Sequence, residues 1–96
     1  IEKRKIIGLR ANNVSVSDIS QHAYERFEER NVTIEAVKDA IEHPLKTEPV
    51  KYDADGRPSF KMIGKKATIS VNPETGVIVT AYPTHTKTAQ KLMGRK

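Results

Sequence analysis

The hydrophobic period of this chain changes once, at Pro44. Before it, Ile34, Val37, Ala40 and Ile41 recur at the three- and four-residue spacing of one helix face. After it, Ala67, Ile69 and Val71 alternate with Thr68, Ser70 and Asn72, the two-residue period of a half-buried strand. A chain that switches in this way builds helices first and a sheet second, and the two must pack as layers. At 96 residues it is one small domain. A chain of that size buries only about 60–65% of its unfolded surface, so the core is thin and one sheet covered on one face is expected.

Local signals divide the chain further. Residues 1–17 open with Glu2-Lys3-Arg4-Lys5 and read as a linker or N-terminal arm with one short strand. Residues 18–96 read as a single domain with a basic C-terminal tail. Asp18 or Ser20 can cap a first helix running to about Arg30, and Asn31 suits the left-handed exit. Thr33 can cap the second helix and Pro44 stops it. Leu45 to Tyr52 is expected as an edge strand, because Pro49 cannot donate to a ladder. Asp53-Ala54-Asp55-Gly56 and Asn72-Pro73-Glu74-Thr75-Gly76 are turns between strands at 57–63, 67–72 and 77–82. A short helix around Ala89 to Met93 is expected in the tail. The fold class is therefore α+β, with two N-terminal helices packed on a three- to four-stranded antiparallel meander.

Composition narrows the partners. Seventeen lysines and arginines give a net charge of +5, which suits a polyanion and also suits a merely solvated surface. With no cysteine, disulfides, thiol catalysis and cysteine–zinc sites are excluded. Apolar stretches are a few residues long, so no membrane span is expected, and no signal peptide is visible. The start at Ile1 reads as a piece of a longer polypeptide or a processed product.

Two runs hold the candidate chemistry, Ser20 to Arg30 and Val79 to Thr84. An imidazole can take or give a proton in the pH range of cells, which makes His22 a candidate, and Arg26 lies one turn later on a shared helix face. An arginine there can grip phosphate in a bidentate fork; an ion pair with Glu25 or Glu29 is the plainer explanation. Thr80 and Tyr82 are two apart on one strand, so their hydroxyls share a face, and Ile78 is expected to share it. His85 follows as a second proton carrier or an idle tail residue. Lys65 and Lys66 occupy a turn, at a phosphate or in water. Arg30 either contacts substrate or closes the helix end against its dipole. His22, His43 and His85 offer no ligand spacing on one element, so no metal is expected.

These segments resemble a known family when taken in order. His22-Ala23-x-x-Arg26-Phe27-x-x-Arg30-Asn31-Val32-Thr33, Ala40-Ile41-x-x-Pro44, Asp55-Gly56-Arg57, Gly64-Lys65-Lys66-Ala67 and Val71-Asn72-Pro73-x-Thr75-Gly76-x-Ile78-x-Thr80-x-Tyr82-Pro83-Thr84 are similar to the polymorphic toxin type 50 domains. Those domains occur at the C-termini of secreted bacterial toxins and of phage Mu gpF-like head-morphogenesis proteins. The resemblance covers residues 17–88. It implies the Barnase/EndoU/colicin/RelE-like fold and metal-independent endoribonuclease activity, with 2′-hydroxyl attack leaving a 2′,3′-cyclic phosphate. Inter-bacterial competition or phage-associated toxicity follows as the expected role. The family's histidine, arginine, threonine and tyrosine fall on His22, Arg26, Thr80 and Tyr82. His85 and Lys65 are further catalytic candidates, and Lys66, Arg30, Thr84 and Lys87 are substrate-binding candidates. The implied partners are an RNA substrate and a cognate immunity protein, with a monomer expected and no cofactor. The implied location is a secreted or phage-delivered fragment acting in the target bacterial cytoplasm. Two other readings use the same residues: a non-catalytic RNA-binding module, and a structural or interaction domain of a phage or secreted protein.

Overall fold

Twelve short elements are spread over residues 3–93, which are those the computed structural model describes. A 3-10 turn (Lys3–Lys5) precedes a two-stranded hairpin, β1 (Arg10–Ala11) and β2 (Val14–Ser15). Next come β3 (Asp18–Ile19), α1 (Gln21–Glu29) and α2 (Ile34–Glu42). The rest is β4 (Lys46–Thr47), β5 (Lys51–Tyr52), β6 (Pro58–Ile63), β7 (Ala67–Val71), β8 (Val77–Pro83) and α3 (Thr86–Leu92).

The α+β class holds, but the expected architecture does not. The main sheet has six strands in the order β3-β8-β7-β6-β4, with β5 also on β6. It is mixed, because β3 runs parallel to β8 while the other pairs are antiparallel. The helices lie at the centre and C-terminus of the chain, so the arrangement of two N-terminal helices on a Barnase/EndoU/colicin/RelE-like meander is overturned. Two physical causes account for the difference. Asp18 and Ile19 form a strand where a cap would otherwise begin, and only Ser20 caps α1. Pro49 splits the segment at 45–52, so β4 pairs with the end of β6 and β5 with its beginning.

The helices form for legible reasons. Ser20 Oγ accepts from the Ala23 amide, and Thr33 Oγ1 accepts from the Ala36 amide. Asn31 leaves α1 with φ of 54°. Ala23 and Phe27 of α1, with Val37 and Ile41 of α2, enter the core. They meet Phe60, Met62, Ile69, Val71, Ile78 and Ala81 from one face of the sheet. Residues 3–17 pack on the same core through Ile6, Ala11 and Val16, all buried. The Cα radius of gyration is 12.5 Å, close to the roughly 12–13 Å of a compact domain of this length. Among the described residues, no helix is long and apolar enough to cross a membrane.

The junction between α1 and β8 sets up the site. Val71 pairs with Ile78 and Ser70 with Thr80, so Val79 is a bulged residue with no partner. Ser20 reads the bulge: its amide donates to the Ile78 carbonyl at 2.9 Å and its hydroxyl donates to the Val79 carbonyl at 3.2 Å. Ser20→Ala removes the cap and this tie together. The expected loss is about 1–2 kcal/mol. Thermal melting measures it, and an unchanged melting temperature would show that the cap does not hold α1 to the strand.

Candidate functional site

The bulge at Val79 decides which way the strand-end hydroxyls face. Cross-strand partners share a face. Met62, Ile69 and Ala81 form one row, and Phe60, Val71 and Ile78 form another, both on the helix-covered side. Lys61, Ser70 and Thr80 form a row on the opposite side, and Ile63, Thr68 and Tyr82 form the next. Thr80 and Tyr82 do share a face, but Ile78 does not share it with them. The extra residue puts Ile78 in the core and turns Thr80 and Tyr82 away from α1 and α2.

On that second face β7 carries only hydroxyls. Thr68 and Ser70 are 2% and 7% exposed, although their polar positions in an alternating strand point to solvent. They lie on a central strand, between β8 and β6. Lys61 starts on β6 and crosses β7 to bring Nζ 5.9 Å from the centroid of the Tyr82 ring on β8. An ammonium at this range is attracted to the ring face. The result is one cation, one phenol and the hydroxyls of Ser70 and Thr80 on neighbouring strands.

Sequence reasoning overlooked Lys61. The available signal was its two-residue phase: Ser59, Lys61 and Ile63 oppose the buried positions of β6.

The other candidates scatter. His22 is exposed in the first turn of α1, and its imidazole has no hydrogen-bond or ion-pair partner among the described residues. Two residues before it, Ser20 is bonded to the strand immediately preceding Thr80. β3 pairs only as far as Ile78, so α1 begins where the β8 edge loses its strand neighbour. Arg26 meets Glu29 at 2.8 Å, the helix-surface ion pair that was its plainer explanation. Arg30 is the exposed C-cap of α1, its amide donating to the Arg26 carbonyl.

Lys65 and Lys66 line a cleft of about 250 Å³ with Thr33, Glu35, Ala36 and Asp39 at α2. Thr84 is committed to structure. Its hydroxyl donates to the Gly64 carbonyl at 2.7 Å and so accepts from Thr68 at 2.9 Å. His85 caps α3, its Nδ1 accepting from the Lys87 amide at 3.3 Å. A second cleft of about 360 Å³, between Phe27 and Ile34, contains none of these groups. Among the described residues no cluster of histidine and carboxylate has the arrangement of a metal site.

The mixed sheet and its hydroxyl-lined face thus define a small α+β domain with one polar sheet face beside a helix start. The chain belongs to the family described as Domain of unknown function (DUF4258), whose model matches residues 19–83. The match begins in β3 and ends with β8, so it contains His22, Arg26, Lys61, Thr80 and Tyr82 but not Thr84, His85 or Lys87. It names no toxin or ribonuclease family. No curated protein and no solved structure matches the chain.

Proposed function

We propose that this domain is a metal-independent endoribonuclease toxin whose site is the polar sheet face at the end of β8. The observation that carries the proposal is the Lys61 ammonium 5.9 Å from the Tyr82 ring, in register with Ser70 and Thr80. A cation among hydroxyls suits a phosphodiester, and the net charge of +5 suits an RNA chain. The proposal takes nothing from the ribonuclease fold, which the strand order does not match. Its toxin role, its immunity partner and its delivery to a target bacterium rest on the resemblance alone.

In this reading His22 takes the proton of the 2′-hydroxyl as that oxygen bonds to phosphorus. The bond from phosphorus to the 5′-oxygen breaks, and the Tyr82 phenol supplies the proton that the departing oxygen needs. Thr80 holds a phosphate oxygen. Lys61 faces the negative charge that builds on phosphorus, the electrostatic contribution that usually dominates. Arg26 joins only by leaving Glu29, and Lys65 and Lys66 take no part.

Lys61→Met keeps the aliphatic stem and removes the charge. The expected loss is about 10²–10³ in rate, typical of removing one donor to a developing oxyanion. The assay is cleavage of labelled RNA in EDTA, with melting temperature as the control for folding. RNA left intact by the wild-type protein would remove the enzymatic reading. A Lys61→Met protein as active as wild type would remove this site.

A second reading is favoured by Arg26 and His85, both engaged in local structure. With those two groups occupied, the face serves as a non-catalytic RNA-binding surface. Retention of uncut RNA on the wild-type protein at low salt would support it.

A further inference from the structure

The Tyr82 face continues beyond the site. Lys46 on β4 pairs with Ile63, and Lys51 on β5 pairs with Ser59. Ser59, Lys61 and Ile63 alternate on one face of β6, so Lys46, Lys51 and Lys61 all share the face of Tyr82. All three lysines are exposed. The levels of Ser59 and Ile63 lie about 13 Å apart along the strand, with Lys61 midway. The split caused by Pro49 is what gives the outer edge two lysines in this phase. One carboxylate stands among them. The Glu48 amide donates to the Lys61 carbonyl, which continues the ladder and puts Glu48 in the same rows. Glu48 is half-buried and makes no ion pair with any of the three lysines among the described residues.

We propose that Lys46, Lys51 and Lys61 form a phosphate track along which single-stranded RNA runs from the β4–β5 edge to Tyr82. This rests on the reading of the Tyr82 face as the RNA site. A row of ammonium groups along a sheet follows one backbone, the arrangement that single-strand binding surfaces use. The chemistry asks for the same substrate. In-line attack by a 2′-hydroxyl needs a backbone that can leave the A-form helix, and an unpaired strand does so most readily. The track makes affinity depend on several nucleotides on one side of the scissile bond, without reading their bases.

The test is the salt dependence of binding. The probe is a fluorescent 2′-O-methyl oligouridine of about 12 nucleotides, within the span of single-strand sites and unable to be cleaved. Anisotropy titrations compare wild type, K46Q/K51Q and the control K5Q/K38Q. Lys5 and Lys38 are exposed, and both lie on elements outside the main sheet. The control therefore loses the same charge away from the track. Each phosphate contact on a single strand contributes about 0.7 to the slope of log affinity against log salt. K46Q/K51Q is therefore expected to flatten the slope by about 1.4, and K5Q/K38Q to leave it as in wild type.

Equal slopes for all three proteins would overturn the track, as would equal affinity of wild type for a duplex of the same length. A parallel digestion of cleavable RNA in EDTA separates this from the parent reading. Cleavage by wild type with unaltered binding by K46Q/K51Q removes the track alone. A flattened slope with no cleavage keeps the track and removes the ribonuclease. A wild type that neither binds nor cleaves removes both.

Discussion

Gly76→Ala is expected to remove a large part of the stability of this domain. Gly76 has φ of 79°, a conformation that side chains with a Cβ adopt at a cost. A Cβ there would also stand 2.1 Å from the Ser15 carbonyl oxygen, which is backbone and cannot swing aside. The glycine is held from both sides: its amide donates to the Asn72 carbonyl at 2.7 Å, and its own carbonyl accepts from Ser17 at 2.9 Å. Relief requires moving the link from β2 to β3, and Val16 in that link is buried in the core. Left-handed strain costs about 1–3 kcal/mol, and overpacking adds about 1–3 kcal/mol. Against a total of about 5–15 kcal/mol for a small domain, melting should fall by more than about 10 °C. Gly56→Ala is the matched control. Gly56 has φ of 78° with nothing near its Cβ position, so only the strain applies. Equal melting temperatures for the two variants would contradict the packing of the N-terminal arm against the β7–β8 turn.

The second large effect is on activity. His22→Ala is expected to lower RNA cleavage by about 10²–10⁴, the usual loss when a proton-transfer group is removed. Stability should be untouched, because His22 is exposed and neither caps nor packs. This contrasts with Ser20→Ala, which acts two residues away through the helix cap and the bulge. A His22→Ala protein that cleaves RNA like wild type would show that the base lies elsewhere. His85 is the next candidate, at the expense of its cap on α3.

How much of this was legible in the chain depends on range. Ser20, Thr33, Asn31 and the turns at Asp53 and Asn72 act within three or four residues of themselves, and they were readable. What escaped is non-local. Asp18 and Ile19 become a strand only because Val77 and Ile78, far along the chain, accept them in parallel. The bulge at Val79 sits in an unbroken run, Val77-Ile78-Val79-Thr80, with no glycine to mark it. Without the bulge, simple alternation puts Ile78, Thr80 and Tyr82 on one face; with it, the two hydroxyls turn from the core. Lys61 reads as a solvent-facing strand lysine until the register places it across β7 from Tyr82. Arg26 was readable in the plainer sense, since a glutamate three residues on is its ordinary partner.

The central claim is that the face shared by Lys61, Thr80 and Tyr82, served by His22 from the start of α1, cleaves RNA without a metal. The most direct measurement digests total RNA in EDTA with wild type and with His22→Ala, and identifies the new 3′ ends. The account predicts fragments ending in a 2′,3′-cyclic phosphate from wild type and their near absence with His22→Ala at an unchanged melting temperature. Intact RNA with wild type, or equal fragments from both proteins, would contradict it.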